Sequence, residues 1–120
     1  MAEIPIIDQQ SIENLRALNP GDNDEFLREI IVIYLEDTPL RLAELDQSLA
    51  VGDGPKFTRA AHSIKGSSAN LGAMTVRTVA ERLEHQSAKQ GLGDVAGLIA
   101  EVKAEFSRAH AEFSKLLRPA

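Results

Sequence analysis

His62, Lys65 and Gly66 stand within a single helical turn and a half of one another, and their types and spacing point to phosphoryl chemistry. The run Arg59-Ala60-Ala61-His62-Ser63-Ile64-Lys65-Gly66-Ser67-Ser68-Ala69-Asn70-Leu71-Gly72 divides cleanly when laid on a helix advancing about 100° per residue. Phe57, Ala60, Ala61, Ile64, Ser68 and Leu71 gather on one side, and His62 points away from them. Thr58, Arg59, Lys65, Gly66 and Ala69 share its outer face, because residues three and four apart are helix-surface neighbours. An imidazole in water has a pKa of about 6.5, so it is mostly neutral at pH 7 and attacks phosphorus without a separate base. Lys65, at i+3, can swing its ammonium towards an anion on that ring. Glycine inside a helix costs roughly 0.5–1 kcal/mol relative to alanine. At Gly66 the missing side chain lets another molecule reach the imidazole, and Ala69 keeps the same lane low.

The run from His62 to Gly72 closely resembles the phosphorylation-site helix of histidine-containing phosphotransfer (HPt) domains, whose pattern is roughly H-x-[LI]-K-G-[SA]-[SA]-x-x-[LFIV]-G. His62, Ile64, Lys65, Gly66, Ser67, Ser68, Leu71 and Gly72 meet every defined position. The resemblance extends into Leu83-Glu84 on the next helix. It implies an all-α, antiparallel four-helix bundle and a place in a phosphorelay. In that role the His62 side chain takes a phosphoryl group from the aspartyl phosphate of a response-regulator receiver domain, or from a hybrid sensor histidine kinase, and yields it to another receiver aspartate.

Phosphoryl transfer is mostly positioning and charge stabilisation. In this family the receiver brings the magnesium ion and the acceptor carboxylate, so the resemblance implies no cofactor on this chain and no autonomous catalysis. A phosphate oxygen facing Lys65 would form a charge-assisted bond of about 1.5–3 kcal/mol gross, less when exposed. Docking is assigned to Arg59, Gly66 and Ala69, with apolar help from Ile4, Ile6, Ile7 and Ile12 on the first segment, of which Ile7 and Ile12 are the chief candidates. Family members often support the phosphohistidine with a polar group on the following helix. Glu84 and Ala88 occupy those places here, and neither an acid nor an apolar side chain is a good phosphate ligand. Two other classes stay open: the phosphorylated domain of a chemotaxis-type histidine kinase, and a helical adaptor that works by protein contact alone.

Other chemistry finds little support. Ser67 and Ser68 read as small residues that admit tight packing, and His85 and His110 lack a comparable setting. Glu81, Glu84 and His85 share one helix, yet a di-iron bundle would need Glu-x-x-His on two helices plus two further glutamates, so no metal site is expected. There is no HExxH and no GxxxxGK[ST] motif. With 13 Lys+Arg against 18 Asp+Glu, the net charge of -5 argues against nucleic acid or an anionic membrane as partner. The absence of cysteine removes disulfides and thiolate-ligated zinc. No signal-like start or bilayer-length apolar run is present, so a cytoplasmic monomer is the expectation. The Met1 start and Pro119-Ala120 end favour a free-standing protein over a piece of a larger kinase.

The elements that must carry His62 follow from apolar periodicity. The 120 residues suit one domain. A short helix is expected at about 8–19, capped by Asp8 and carrying Ile12, Leu15 and Leu18, with Asn19-Pro20-Gly21 ending it. Asp22, Asn23 or Asp24 caps a helix over about 23–51. Its stripe of Leu27, Ile31, Tyr34, Thr38, Leu42, Leu45 and Leu49 keeps phase through Pro39, which predicts one long rod with a kink there. Gly52-Asp53-Gly54-Pro55 launches the His62 helix at about 55–71. Further helices are expected over 73–90, with Val76, Val79, Ala80 and Leu83 inward, and over 94–117, capped by Asp94 and seamed by Val95, Leu98, Ile99, Val102, Phe106, Ala109, Phe113, Leu116 and Leu117. Met74 and the phenylalanines at 26, 57, 106 and 113 read as core.

Overall fold

Five helices appear in the computed structural model, which describes residues 4–118. The Met1 start and the Pro119-Ala120 end therefore lie outside the described residues. The helices are α1 (Gln9–Ala17), α2 (Glu25–Val51), α3 (Gly54–Leu71), α4 (Met74–Gln90) and α5 (Ala96–Leu117). Each of α2 to α4 packs against its successor, and α5 returns to α2, which closes an antiparallel four-helix bundle of the kind expected from short turns and long amphipathic stretches. The short α1 lies against α2 and α3 at one end. Among the described residues no helix is long and apolar enough to cross a membrane.

The predicted stripes become the core. Leu27, Ile31, Tyr34, Leu42 and Leu45 of α2 meet Phe57, Ala61, Ile64 and Leu71 of α3, while α4 adds Val76, Ala80 and Leu83 and α5 adds Val102, Ala109 and Phe113. The α2 helix runs unbroken through Pro39. Proline removes one N–H from the helix ladder, but a 27-residue helix buried along one face has enough other bonds and contacts to bridge that gap.

Several ends differ from expectation in their atoms. Asp8 stands at the start of α1, but its carboxylate accepts from the Ser11 hydroxyl (2.7 Å) rather than from a backbone N–H. At α2 the capping carboxylate is Asp22, which accepts from the Phe26 N–H at 3.0 Å, while Asn23 and Asp24 take left-handed backbone. Asp94 caps nothing: α5 begins at Ala96 after Val95, with no side-chain cap, and the buried Val95 anchors that end by packing instead. Asp53 does cap α3, accepting from Lys56 N–H at 3.1 Å.

The α3–α4 turn is tightly specified. Gly72 ends α3 in the left-handed region (φ +79°), where glycine has no steric penalty. A Cβ there would meet Ser11 Cβ at 2.6 Å. The N-terminal segment is laced to the same turn, since Asp8 N–H donates to Gly72 O (2.8 Å) and Met74 N–H to Ile6 O (3.0 Å). The turn fixes how α4 lies along α3, and that pairing decides what stands beside His62.

Candidate functional site

The His62 imidazole stands in solvent, with 66% of its side chain exposed, because its helix has spent its apolar side on the core. Across the α3–α4 seam its Nδ1 lies 2.6 Å from Glu84 Oε2. The other oxygen, Oε1, lies 2.6 Å from Lys65 Nζ. One carboxylate thus bridges both residues that the motif singles out. Burial alone would raise the Glu84 pKa, but the hydrogen bonds from Lys65 and His62, with their charge, outweigh it and hold it below the ordinary carboxylate value. An ionised carboxylate offers only lone pairs, so Nδ1 must carry the hydrogen of the shared bond. The lone pair of the neutral ring is then on Nε2, the atom that Glu84 does not reach.

The neighbours of the ring are arranged asymmetrically. Towards α4, Thr58, Lys65, Glu81, Glu84, His85 and Ala88 line a shallow groove, and Thr58 hydrogen-bonds Ser87 at 2.7 Å one turn before the histidine. Towards α2, Arg59 and Ser63 share a second groove with Arg41, Glu44 and Lys56. Between the grooves Gly66 is exposed, and a Cβ built on it would meet nothing within 4 Å. Among the described residues no close approach therefore demands the glycine.

The Hpt domain model matches residues 29–112. This chain belongs to the Hpt domain family. The Hpt domain is 32% identical over 80 residues to multistep phosphorelay regulator 1 of Schizosaccharomyces pombe, a match covering 67% of this chain and 27% of that one. It thus spans about a quarter of that relative's length. Among solved structures it is similar to histidine-containing phosphotransfer protein B of Pseudomonas aeruginosa PAO1, with TM-score 0.86, 25% identity and 96% of both chains covered. It also resembles the phosphotransfer protein MtHPt2 of Medicago truncatula, with TM-score 0.81, 21% identity and coverage of 92% of this chain and 76% of that one; at that identity the likeness speaks for the fold.

Within this Hpt domain the sequence-predicted residues separate. His62, Arg59, Gly66 and Ala69 share the exposed face of α3. Lys65 is three residues from His62, but its ammonium is engaged by Glu84 instead of standing free for an anion. Ile7 and Ile12 are corrected: both are core residues, Ile12 wholly buried and Ile7 bridged to Ala73 at the α3–α4 turn. Their segment is drawn inward by the laced backbone, so neither side chain offers a docking surface. Of that set Ile4 is exposed and Ile6 half-buried. Exposed apolar groups lie instead on α2, where Ile33 and Leu40 stand 65% and 60% exposed. Leu40 is one turn from Glu44, which lines the groove beside Arg59.

Glu84 is the functional residue whose partner the sequence reading leaves unnamed: an acid is a poor ligand for phosphate, and the structure sets it against the imidazole instead. The signal was present in the spacing. His62 and Glu84 lie at equal distances on either side of Ala73, so an antiparallel hairpin with a short turn must bring them level.

Proposed function

We infer that this Hpt domain is a phosphoryl carrier whose covalent intermediate is phosphohistidine at His62 Nε2. The observation that carries the reading is the bond from His62 Nδ1 to Glu84 at 2.6 Å on an otherwise open helix face. It holds the ring in one tautomer and one orientation, with the nucleophilic nitrogen directed to solvent. In the forward step the Nε2 lone pair forms the N–P bond while the bond from phosphorus to an aspartyl oxygen of a receiver domain breaks, its electrons staying on the receiver carboxylate. The return step is the reverse, onto the aspartate of a second receiver.

In this scheme the chain holds the phosphoryl group and leaves activation of it to the partner domains. It acts as a carrier, and the receiver contributes the metal ion, a magnesium, as well as the acceptor. Lys65 keeps one N–H on Glu84 and turns another to a phosphoryl oxygen when His62 is loaded, since its ammonium carries three donors on a flexible stem. Receivers dock over Arg59, Gly66 and Ala69, with Ile33 and Leu40 of α2 as the apolar flank. The chain works as a monomer, because a lasting dimer would have to leave this face open.

The test is transfer from a phosphorylated receiver domain. Acid-labile, base-stable phosphate should appear on the chain and be absent from His62→Gln, whose melting temperature should stay within about 2 °C because the side chain is exposed. Label that persists on the His62→Gln protein would refute the assignment.

A further inference from the structure

We propose that Glu84 keeps the Nδ1 proton on the imidazole throughout phosphorylation, so that His62 takes up and gives away the phosphoryl group without exchanging a proton with water. The inference rests on the carrier reading and concerns the charge state of that same site. It starts from the geometry. Glu84 approaches Nδ1 at 2.6 Å and is itself tied by Lys65 at 2.6 Å, so the carboxylate is neither free to turn away nor readily protonated. Its side chain is 22% exposed, which strengthens the bond relative to a fully hydrated pair.

Atoms and charges balance as follows. Before transfer the ring is neutral, with hydrogen on Nδ1 and a lone pair on Nε2. The lone pair forms the N–P bond, the P–O bond to the donor carboxylate breaks, and the ring acquires a formal positive charge with its Nδ1 hydrogen in place. That charge develops directly against the Glu84 carboxylate, the relation by which a buried acid stabilises an imidazolium in serine hydrolases. In the return step the N–P electrons go back to Nε2 and the ring leaves as neutral imidazole. If the Nδ1 proton were lost in between, the departing group would be an imidazolate, a far poorer leaving group. Glu84 is thus a positioning residue that preserves the reactive form of the intermediate.

Other charges face the ring from each packed helix. Lys65 and Arg59 flank it on α3, Glu81 and His85 line the adjoining groove on α4, and Arg41 and Glu44 stand beyond Arg59 on α2. Among the described residues, Glu84 is the one that hydrogen-bonds the ring. Lys65 opposes the ring charge, which gives the proposal two handles of opposite sign.

The experiment uses the full chain phosphorylated with phosphoramidate, a small donor that needs no receiver, and follows Nδ1 by nitrogen NMR between about pH 6 and pH 9. Replacing a charged by a neutral acceptor in Glu84→Gln, which keeps shape and fold, should lower the midpoint for loss of the Nδ1 proton by about one pH unit, a tenfold change in proton affinity. Lys65→Met removes the opposing cation and should raise it. Opposite shifts support the proposal, since general loosening of the site would move both variants alike. Equal midpoints in the wild type and Glu84→Gln, shifts of the same sign, or phosphate found on Nδ1 overturn it. Loading by phosphoramidate with no transfer from any receiver would remove the carrier reading while these shifts could still be read; unchanged midpoints with normal receiver transfer would remove this inference alone.

Discussion

Helix α3 is joined to α2 and to α4 by the same kind of link, a polar side-chain pair across the seam, with opposite consequences. Towards α2, Tyr34 Oη and Ser68 Oγ lie 2.8 Å apart in the interior, Tyr34 only 4% exposed and Ser68 wholly buried. Towards α4, His62 and Glu84 meet at 2.6 Å with the imidazole largely in water. The buried pair satisfies polar atoms that would otherwise be costly to desolvate, and it fixes the height of α2 on α3. The exposed pair has little to add to stability, because solvent competes for it. What it does is orient a nucleophile. Burial, more than residue type, assigns one pair to architecture and the other to chemistry.

The sharpest way to break this division is Tyr34→Ala. The ring packs edge-on against Phe106 and Phe113 at centroid distances of 5.8 and 5.6 Å. Its removal should cost about 3–5 kcal/mol by analogy with other buried aromatic truncations, read from urea unfolding. Phosphoryl uptake from a small donor, per folded molecule, should remain within about twofold of the parent. A collapse of uptake in molecules that are still folded would mean the two seams are coupled.

Acid and alkali probe the seams separately. Burial pushes the Tyr34 phenol up from 10.0 to about 12, although the Ser68 hydrogen bond pulls the other way. A pKa raised on folding means that the stability is complete below the unfolded value and is lost as pH climbs through the folded one. The bundle should therefore weaken between pH 10 and about pH 12, by up to about 3 kcal/mol at the top of that window, and Tyr34→Phe should flatten the alkaline loss. Glu84 has the opposite sign. Burial raises its pKa, but Lys65 and His62 hold it below the ordinary 4.5. Its contribution is present above that value and disappears as pH falls through the lowered one. A urea midpoint followed from neutral to alkaline pH, with Tyr34→Phe alongside, checks the larger of the two.

The division also explains what could be read from the chain without coordinates. Helical phase alone put Phe57, Ala61, Ile64 and Leu71 inside and His62 outside, since a 3.6-residue period leaves little choice once one face is apolar. The continuity of α2 through Pro39 followed from a stripe that never lost register. Ile7 is misplaced because its short apolar segment has no periodicity long enough to show which way it faces, and lacing to Gly72 and Met74 decides that; Ile12 carries two expectations, and its place on the α1 stripe, not the docking role, is the one the fold keeps. The Asp94 cap failed for a related reason, as an eligible residue type near a helix start does not fix the backbone path that would aim it. Glu84 required two helices to be aligned before its partner could be named, and pairing between elements is not written in the periodicity of either one.

Gly66 offers the smallest and most discriminating change. An alanine there would occupy open space, with nothing within 4 Å of the new Cβ, and the helix should gain about 0.5–1 kcal/mol from propensity alone. On the exposed seam, stability and function should then part: Gly66→Ala should unfold at higher urea concentration and accept phosphate from phosphoramidate at the parental rate. Its uptake from a receiver domain should nevertheless fall roughly tenfold, because a methyl group one turn from His62 holds off a large surface by more than a near-attack geometry tolerates. Parental rates with both donors would show that the bare turn is not the lane by which receivers approach, and would shift the search for that contact to Ile33 and Leu40 on α2.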